Sequence, residues 1–485
     1  MMSLAVPYST VAPVQVDASR RAATVTTYDF VIGLALASVL LQLGKFGVLP
    51  VTLQTVIGGL LFVVTPNIVI NTTLRMIRQR FMLVFFLLFI LLNFHADLRF
   101  GIRFGLAASV GRCVSTIALM ASFIYYCASH PSRPNRFLWL VLINLGVAQL
   151  WYLGELVVPD VLVPIRTWLY YDQYVLEAFE NNVAVSTLTT GTRTGLSPQL
   201  HLLGYISCAA LGYCLTLVSG SRAGDRELRN WGVFLLLFIT IPTVALNMQR
   251  SAALGGICGA ALLLASPFKG RFVAKGPLVG LAVVLVLVVV VPQLYKATDV
   301  QLDYQDVTEK FRTADDYRFR IRMQLEAIKL IAQAPFGLEA HGISWAETGL
   351  QAAADATGSK ATKNLAVHNG YLNIAMSYGW IGVFMIVWFL WSVGRAIAVC
   401  VTHPPVVQGL RPERVVAIAA ACFGLLFIQA LFHNSSIFKR EPASLVFTCL
   451  LAFCMSTRVS SRRSMHSHRE AVERMGLGGR DTVNA

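Results

Sequence analysis

His368 and Asn369 stand directly before an apolar stretch, in the string HNGYLNIAMSYGWIGVFMIVWFLW over residues 368–391. An imidazole exchanges protons near neutral pH, so a neutral His368 at the mouth of a hydrophobic bundle could take the proton of a hydroxyl nucleophile. The alternative for a histidine at a membrane interface is a hydrogen-bonding role with no chemistry. His341, in GLEAHGISW, and His433, in LFHNSSIFKRE, fall on the same expected side and are rivals for the role.

Arginine is the second residue type that stands out. Arg250 lies in NMQRSAALGG, read as a tight turn between two spans, and the small residues after it permit close helix approach. It reads either as an anion ligand or as an arginine snorkelling from a span end. Arg318, Arg320 and Arg322 share the string DDYRFRIRMQLEAIKLIAQAP, where Pro335 and the following Gly337 should end a helix. On that helix Arg318 and Arg322 share a face at i, i+4, and Arg320 points elsewhere. Their like charges repel unless an anion bridges them, or unless Asp315, Asp316 and Glu326 make the face an ordinary solvated one. Guanidinium groups match phosphate oxygens in bidentate geometry and keep their charge at any physiological pH. Several converging on one cleft could neutralise a diphosphate leaving group without a metal.

A metal site needs clustered ligands. Asp299, Asp303 and Asp306 form only a loose acidic set, with no tight pair or His–carboxylate spacing, so no metal and no other cofactor is expected. The nine cysteines lie almost entirely in apolar runs without C-x-x-C spacing and read as small core residues. Arg112 lies inside a span, and Glu155 is the expected partner for that charge.

The elements that must position these groups follow from composition. In a chain of 485 residues, 56% hydrophobic and 13% charged, there is too little polar surface to cover a soluble fold. Apolar runs repeat at about 17–25 residues, the length that crosses a bilayer. The fold class is therefore all-α, a polytopic membrane protein of about twelve transmembrane helices. The spans are expected at 28–44, 48–70, 81–96, 104–128, 137–158, 201–219, 231–247, 252–267, 277–294, 370–393, 415–432 and 443–457. Residues 1–27 are polar, and no cleavable signal peptide is expected there.

Arg and Lys concentrate in 71–80, 129–136, 219–230, 268–275 and 394–414 and in the basic tail 458–485, which places these segments and both termini in the cytoplasm. Two long polar segments, 159–200 and 295–369, then face outward; the second is a large periplasmic loop containing short helices. It separates spans over 28–294 from spans over 370–457. The formal charge of +15 is thereby explained by membrane orientation and by contact with anionic lipids, and no nucleic-acid partner is implied.

On these motifs the chain resembles the O-antigen ligase and polysaccharide polymerase family of bacterial inner-membrane glycosyltransferases. The pattern His368-Asn369, nine residues, Gly379, two residues, Gly382 is similar to the ligase signature. Arg250 followed by Ser251, Ala252 and Ala253 is similar to the family's arginine turn, and the arginine string with Pro335 and Gly337 to its loop segment. Gln249 replaces the common serine, the usual tryptophan after the loop arginine is absent, and the final G-x-G reads Gly337-Leu338-Glu339. The resemblance covers about residues 230–395.

The resemblance implies transfer of a glycan from an undecaprenyl-diphosphate carrier to a sugar hydroxyl at the periplasmic face, with inversion and without a metal. The acceptor would be the lipid A core in a ligase, or a second carrier-linked glycan in a repeat-unit polymerase of an exopolysaccharide or O-antigen. His368 would be catalytic, and Arg250, Arg318 and Arg322 would bind the diphosphate, supported by Asn369, Arg320, His341 and His433. Of the loop arginines Arg318 is favoured, because it leaves room for the helix before Pro335. The rival of another class is a flippase for the same lipid-linked oligosaccharide, which would carry its polar groups at the membrane midplane in repeated halves. A third reading is a non-catalytic scaffold of a polysaccharide assembly.

Overall fold

The computed structural model describes residues 18–41, 53–100, 102–158, 160–162, 164–165, 238–240, 242–243, 250–268, 314–345, 367, 369–432 and 444–456. Its elements are helices α1 (Ala18–Leu40), α2 (Leu53–Val64), α3 (Pro66–Ile77), α4 (Arg80–Phe100), α5 (Ile102–Ser129) and α6 (Arg133–Val157). After these come α7 (Arg250–Ala265), α8 (Ala314–Gln333), α9 (Gly370–Thr402) and α10 (Pro412–Phe423). A π-helical segment, Gly424–Gln429, continues α10, and a further apolar helix runs over Ser444–Ser456. Among the described residues the only β pairing is a single bridge between Val407 and Leu410. The all-α expectation holds for this part of the chain.

Among the described residues three helices are long and apolar enough to cross a membrane: Ser109–Ser129, Arg133–Glu155 and Gly370–Thr402. The expected spans at 201–219 and 277–294 lie outside the described residues, as do the tail 458–485 and nearly all of 159–200.

The expected span 48–70 is not one straight helix. The chain bends by 103° between α2 and α3. Pro66 at the head of α3 has no N–H and disfavours helical geometry at the residue before it, and Thr65 sits at φ −131° and ψ 51°. The end of α2 stays satisfied, because Thr65 donates its N–H (2.9 Å) and its hydroxyl (2.8 Å) to Leu61 O. α1 begins at Ala18, ahead of the expected span, and its apolar part is Tyr28–Leu40. Beyond a break at Gly379, α9 runs on to Thr402, because no proline stands before His403-Pro404.

Small residues bring the helices together. A Cβ at Gly58 of α2 would stand 2.3 Å from Ser115 O of α5, so the two backbones touch. In a lipid-like interior such contact replaces the hydrophobic drive that water supplies elsewhere. α4 and α9 meet through Phe85 and Phe389, whose ring centroids lie 6.3 Å apart. The described cysteines are free, and all but Cys258 are buried, as small core residues should be.

Segments expected on one side of the membrane meet one another. Asp29 accepts from Tyr126 and from Arg136 Nη1 (2.8 Å), and Arg133 lies over the rings of Tyr28 and Tyr126. The 403–411 turn reaches the same place: a Cβ on Gly409 would stand 1.7 Å from Pro131 O, and Arg414 bonds Asn135. Gln79 Nε2 donates to Ala452 O at 2.9 Å. Elsewhere in the bundle Glu155 is fully buried and accepts from Trp151 Nε1 (2.8 Å), and Arg112 Nη2 donates to Ser109 Oγ (3.1 Å). Each of these bonds lies within its own helix.

Candidate functional site

The N-terminus of α9 is built by Asn369. Its backbone is extended, and its side-chain oxygen accepts from the N–H groups of Tyr371 (3.0 Å) and Leu372 (3.1 Å). This satisfies two of the donors that every helix start leaves open. Asn369 is 6% exposed and Val367 fully buried, so the residues flanking His368 are both packed inside. His368 itself lies outside the described residues, as does His433.

Two tyrosines then fix the first turns of α9. Tyr371 donates its hydroxyl to Leu426 O in the π-segment, and Tyr378 donates to Leu91 O of α4 at 3.0 Å. Immediately after Tyr378 the helix breaks. Gly379 takes φ 57° and ψ −139°, a conformation outside the helical region that an L side chain rarely adopts.

The break receives the turn that ends α8. Trp380 N–H donates to Pro335 O (2.9 Å), and Leu338 N–H donates to Met376 O (2.8 Å). A Cβ on Gly379 would stand 2.1 Å from Pro335 O, and one on Gly337, whose φ is +98°, would stand 2.4 Å from Ser377 O. Gly382 lets the chain close behind the break, since its Cβ would lie 2.9 Å from Ile374 O. The glycines of both sequence motifs are therefore parts of one backbone-to-backbone junction, and their role is geometric.

That junction anchors the arginine helix. α8 packs on α9, and Met323, Ala327, Leu330 and Ile331 form a buried stripe along it that Ala334 continues just past its end. Arg322 lies on the exposed side. By helical register position 318 shares the side of 322, and position 320 falls on the side of the stripe. The side chains of Arg318 and Arg320 are outside the described residues. The helix stops at Gln333, ahead of Pro335, where the sequence places its end.

His341 is exposed and belongs to the turn that follows α8. Its Nδ1 lies 3.0 Å from Gly337 O, and its ring is stacked on Phe336 with centroids 6.1 Å apart.

Arg250 is the first described residue of α7; residues 244–249 of the expected turn, and the Arg250 side chain, lie outside the described residues. The small residues behind it do what their size suggests. Gly255 and Gly259 face Gly424 and Ala420: a Cβ on Gly255 would stand 3.8 Å from Gly424 Cα, and one on Gly259 3.8 Å from Ala420 O. The i, i+4 spacing of small residues lets α7 lie close along α10 and the π-segment. The π-segment thus touches both α7 and, through Tyr371, the start of α9. Sequence reasoning passed over it, because π geometry has no local signature beyond the glycine that opens it.

These features define a helical membrane protein with an arginine-bearing helix clamped to the helix that follows a histidine. Residues 232–387, about a third of the chain, match the family model described as O-antigen ligase, so this segment is similar to that family. The matched segment contains Arg250, the arginine helix, His368 and the Gly337–Gly379 junction. No curated protein matches the chain.

Proposed function

We propose that this protein transfers a glycan from an undecaprenyl-diphosphate carrier to a sugar hydroxyl at the periplasmic face of the bacterial inner membrane, with both termini in the cytoplasm. The observation that carries the reading is the junction between Pro335-Gly337 and Gly379. It ties the helix bearing Arg318 and Arg322 to the helix whose cap, Asn369, adjoins His368. The match of residues 232–387 to the O-antigen ligase family model supports the reaction class.

In the proposed reaction the acceptor oxygen attacks the anomeric carbon as the bond from that carbon to the diphosphate oxygen breaks. The acceptor proton passes to His368 and from there to water. Undecaprenyl diphosphate leaves, its developing charge held by Arg250, Arg318 and Arg322 through charge-assisted bonds. Displacement on the opposite face inverts the anomeric centre. The diphosphate linkage is already activated, so the reaction draws on no nucleotide and needs no metal ion. Asn369 holds the helix start, and Arg320 and His341 act as supporting residues of the clamped turn and helix; His433 is the remaining supporting position.

The lipid A core is the acceptor this reading favours, in keeping with the family's description. The test is a deletion strain examined for lipopolysaccharide banding and secreted polymer. Core devoid of O-chains supports the ligase. Single repeats without long chains would assign the same site to a repeat-unit polymerase, and unchanged glycans would overturn both.

A further inference from the structure

The π-segment Gly424–Gln429 lies beyond the family-matched residues and holds no titratable side chain. It nonetheless contacts both helices that carry proposed site residues. On one side Leu426 O accepts the Tyr371 hydroxyl, two residues past the cap of α9 and three past His368. On the other side Gly424 meets Gly255 backbone to backbone; a Cβ on Gly424 would stand 3.4 Å from Gly255 O. Gly255 is five residues into the helix that Arg250 opens.

An α-helix commits each carbonyl to its own ladder. A π turn widens the helix and loosens that ladder, and single π turns recur at functional sites. A carbonyl oxygen has two lone pairs and can take an outside donor. Leu426 is fully buried and Tyr371 only 6% exposed, so the bond between them is shielded from water. Breaking one side of a buried bond leaves the other group unsatisfied, which fixes the tyrosine in place. The opposite end of the same helical stretch is held by Tyr378 on Leu91 O and by the Gly379 junction.

We infer that the π-segment is the positioning element of the transfer site: it sets the helix behind His368 through Tyr371 and the helix headed by Arg250 through Gly255. Tyr371 and Gly424 are then positioning residues that act through His368 and Arg250. The inference rests on the proposed function.

The test uses full-length protein purified in detergent, with a synthetic polyprenyl-diphosphate oligosaccharide as donor. Tyr371→Phe keeps the ring and removes the donor hydroxyl. It is expected to lower kcat by about tenfold with the donor KM unchanged, because sub-ångström displacement of a proton acceptor costs rate rather than binding. Gly424→Leu drives a side chain into Gly255 and is expected to raise the donor KM by shifting Arg250. Thermal unfolding separates these effects from general loss of fold, and if Gly424→Leu does not fold, Tyr371→Phe carries the test alone. A purely structural role predicts a lower unfolding temperature for Tyr371→Phe with wild-type kcat per folded molecule, and that result overturns the inference. His368→Ala and Arg250→Ala run beside it. Inactivity in both with an unaltered Tyr371→Phe defeats the positioning role alone, whereas full activity in both defeats the proposed function and the inference with it.

Discussion

Gly379 and Pro335 meet backbone to backbone: a Cβ on Gly379 would stand 2.1 Å from Pro335 O, and that same oxygen accepts the N–H of Trp380 at 2.9 Å. An apolar helix opens at this point, and the turn ending the arginine helix closes into the gap. Gly379→Ala should therefore be among the most damaging single changes in the chain. It meets an unfavourable φ of 57° and a steric overlap together. Strain of this kind costs about 1–3 kcal/mol before the overlap is counted. Unfolding in detergent should fall sharply for Gly379→Ala and for Gly337→Ala. An unshifted unfolding temperature in both would mean the junction does not form.

Asn369 tests the start of the same helix. Its side chain accepts two backbone N–H groups, so Asn369→Ala should destabilise by about 1 kcal/mol, and Asn369→Asp, which keeps the acceptor, by much less. Chemical or thermal unfolding reads the difference. Equal loss in both variants would point to a role for the amide nitrogen instead.

The arginine assignment is tested by Arg→Lys replacements. Lysine keeps the charge and loses the bidentate fork. Arg250→Lys, Arg318→Lys and Arg322→Lys should each raise the donor KM. Steady-state transfer with a lipid-diphosphate donor measures this. An unchanged KM in all three would remove the arginines from diphosphate binding.

Treatment with a strong chelator is expected to leave the transfer rate within about twofold, since guanidinium groups supply the charge neutralisation in the proposed reaction. Loss of activity restored by added magnesium or manganese would assign that task to a metal.

Stability and chemistry should separate at the turn joining α9 to α10. Gly409 has φ +83°, and a Cβ there would stand 1.7 Å from Pro131 O. Gly409→Ala should lower the unfolding temperature, with kcat per folded molecule preserved. A fall in kcat without loss of stability would link this turn to the transfer site.

Much of this arrangement is legible in the chain as residue types. Long apolar runs announced the helices over Ser109–Ser129, Arg133–Glu155 and Gly370–Thr402, because helix length follows from bilayer thickness. Pro335 marked the end of the arginine helix, and the small residues behind Arg250 marked a close helix contact that Gly255 and Gly259 make. The break at Gly379 was hidden, since the apolar pattern runs through it without interruption and the partner that stabilises it is Pro335, far away in sequence. The bend at Thr65 was masked in the same way: hydropathy continues across Pro66, and hydropathy carries no backbone direction. The π-segment escaped because its effect is a carbonyl offered to Tyr371, a tertiary event. Behind Arg250 the good helix formers Ala252, Ala253 and Leu254 carry α7.

The central claim is that His368 and Arg250 serve one transfer reaction. Its most direct measurement is single-turnover transfer from a polyprenyl-diphosphate oligosaccharide to purified lipid A core by His368→Ala and Arg250→Ala proteins whose unfolding matches the unaltered chain. The account predicts that both lose at least about a hundredfold in rate, with Arg250→Ala also binding the donor more weakly. Transfer at the unaltered rate by either folded variant would contradict it.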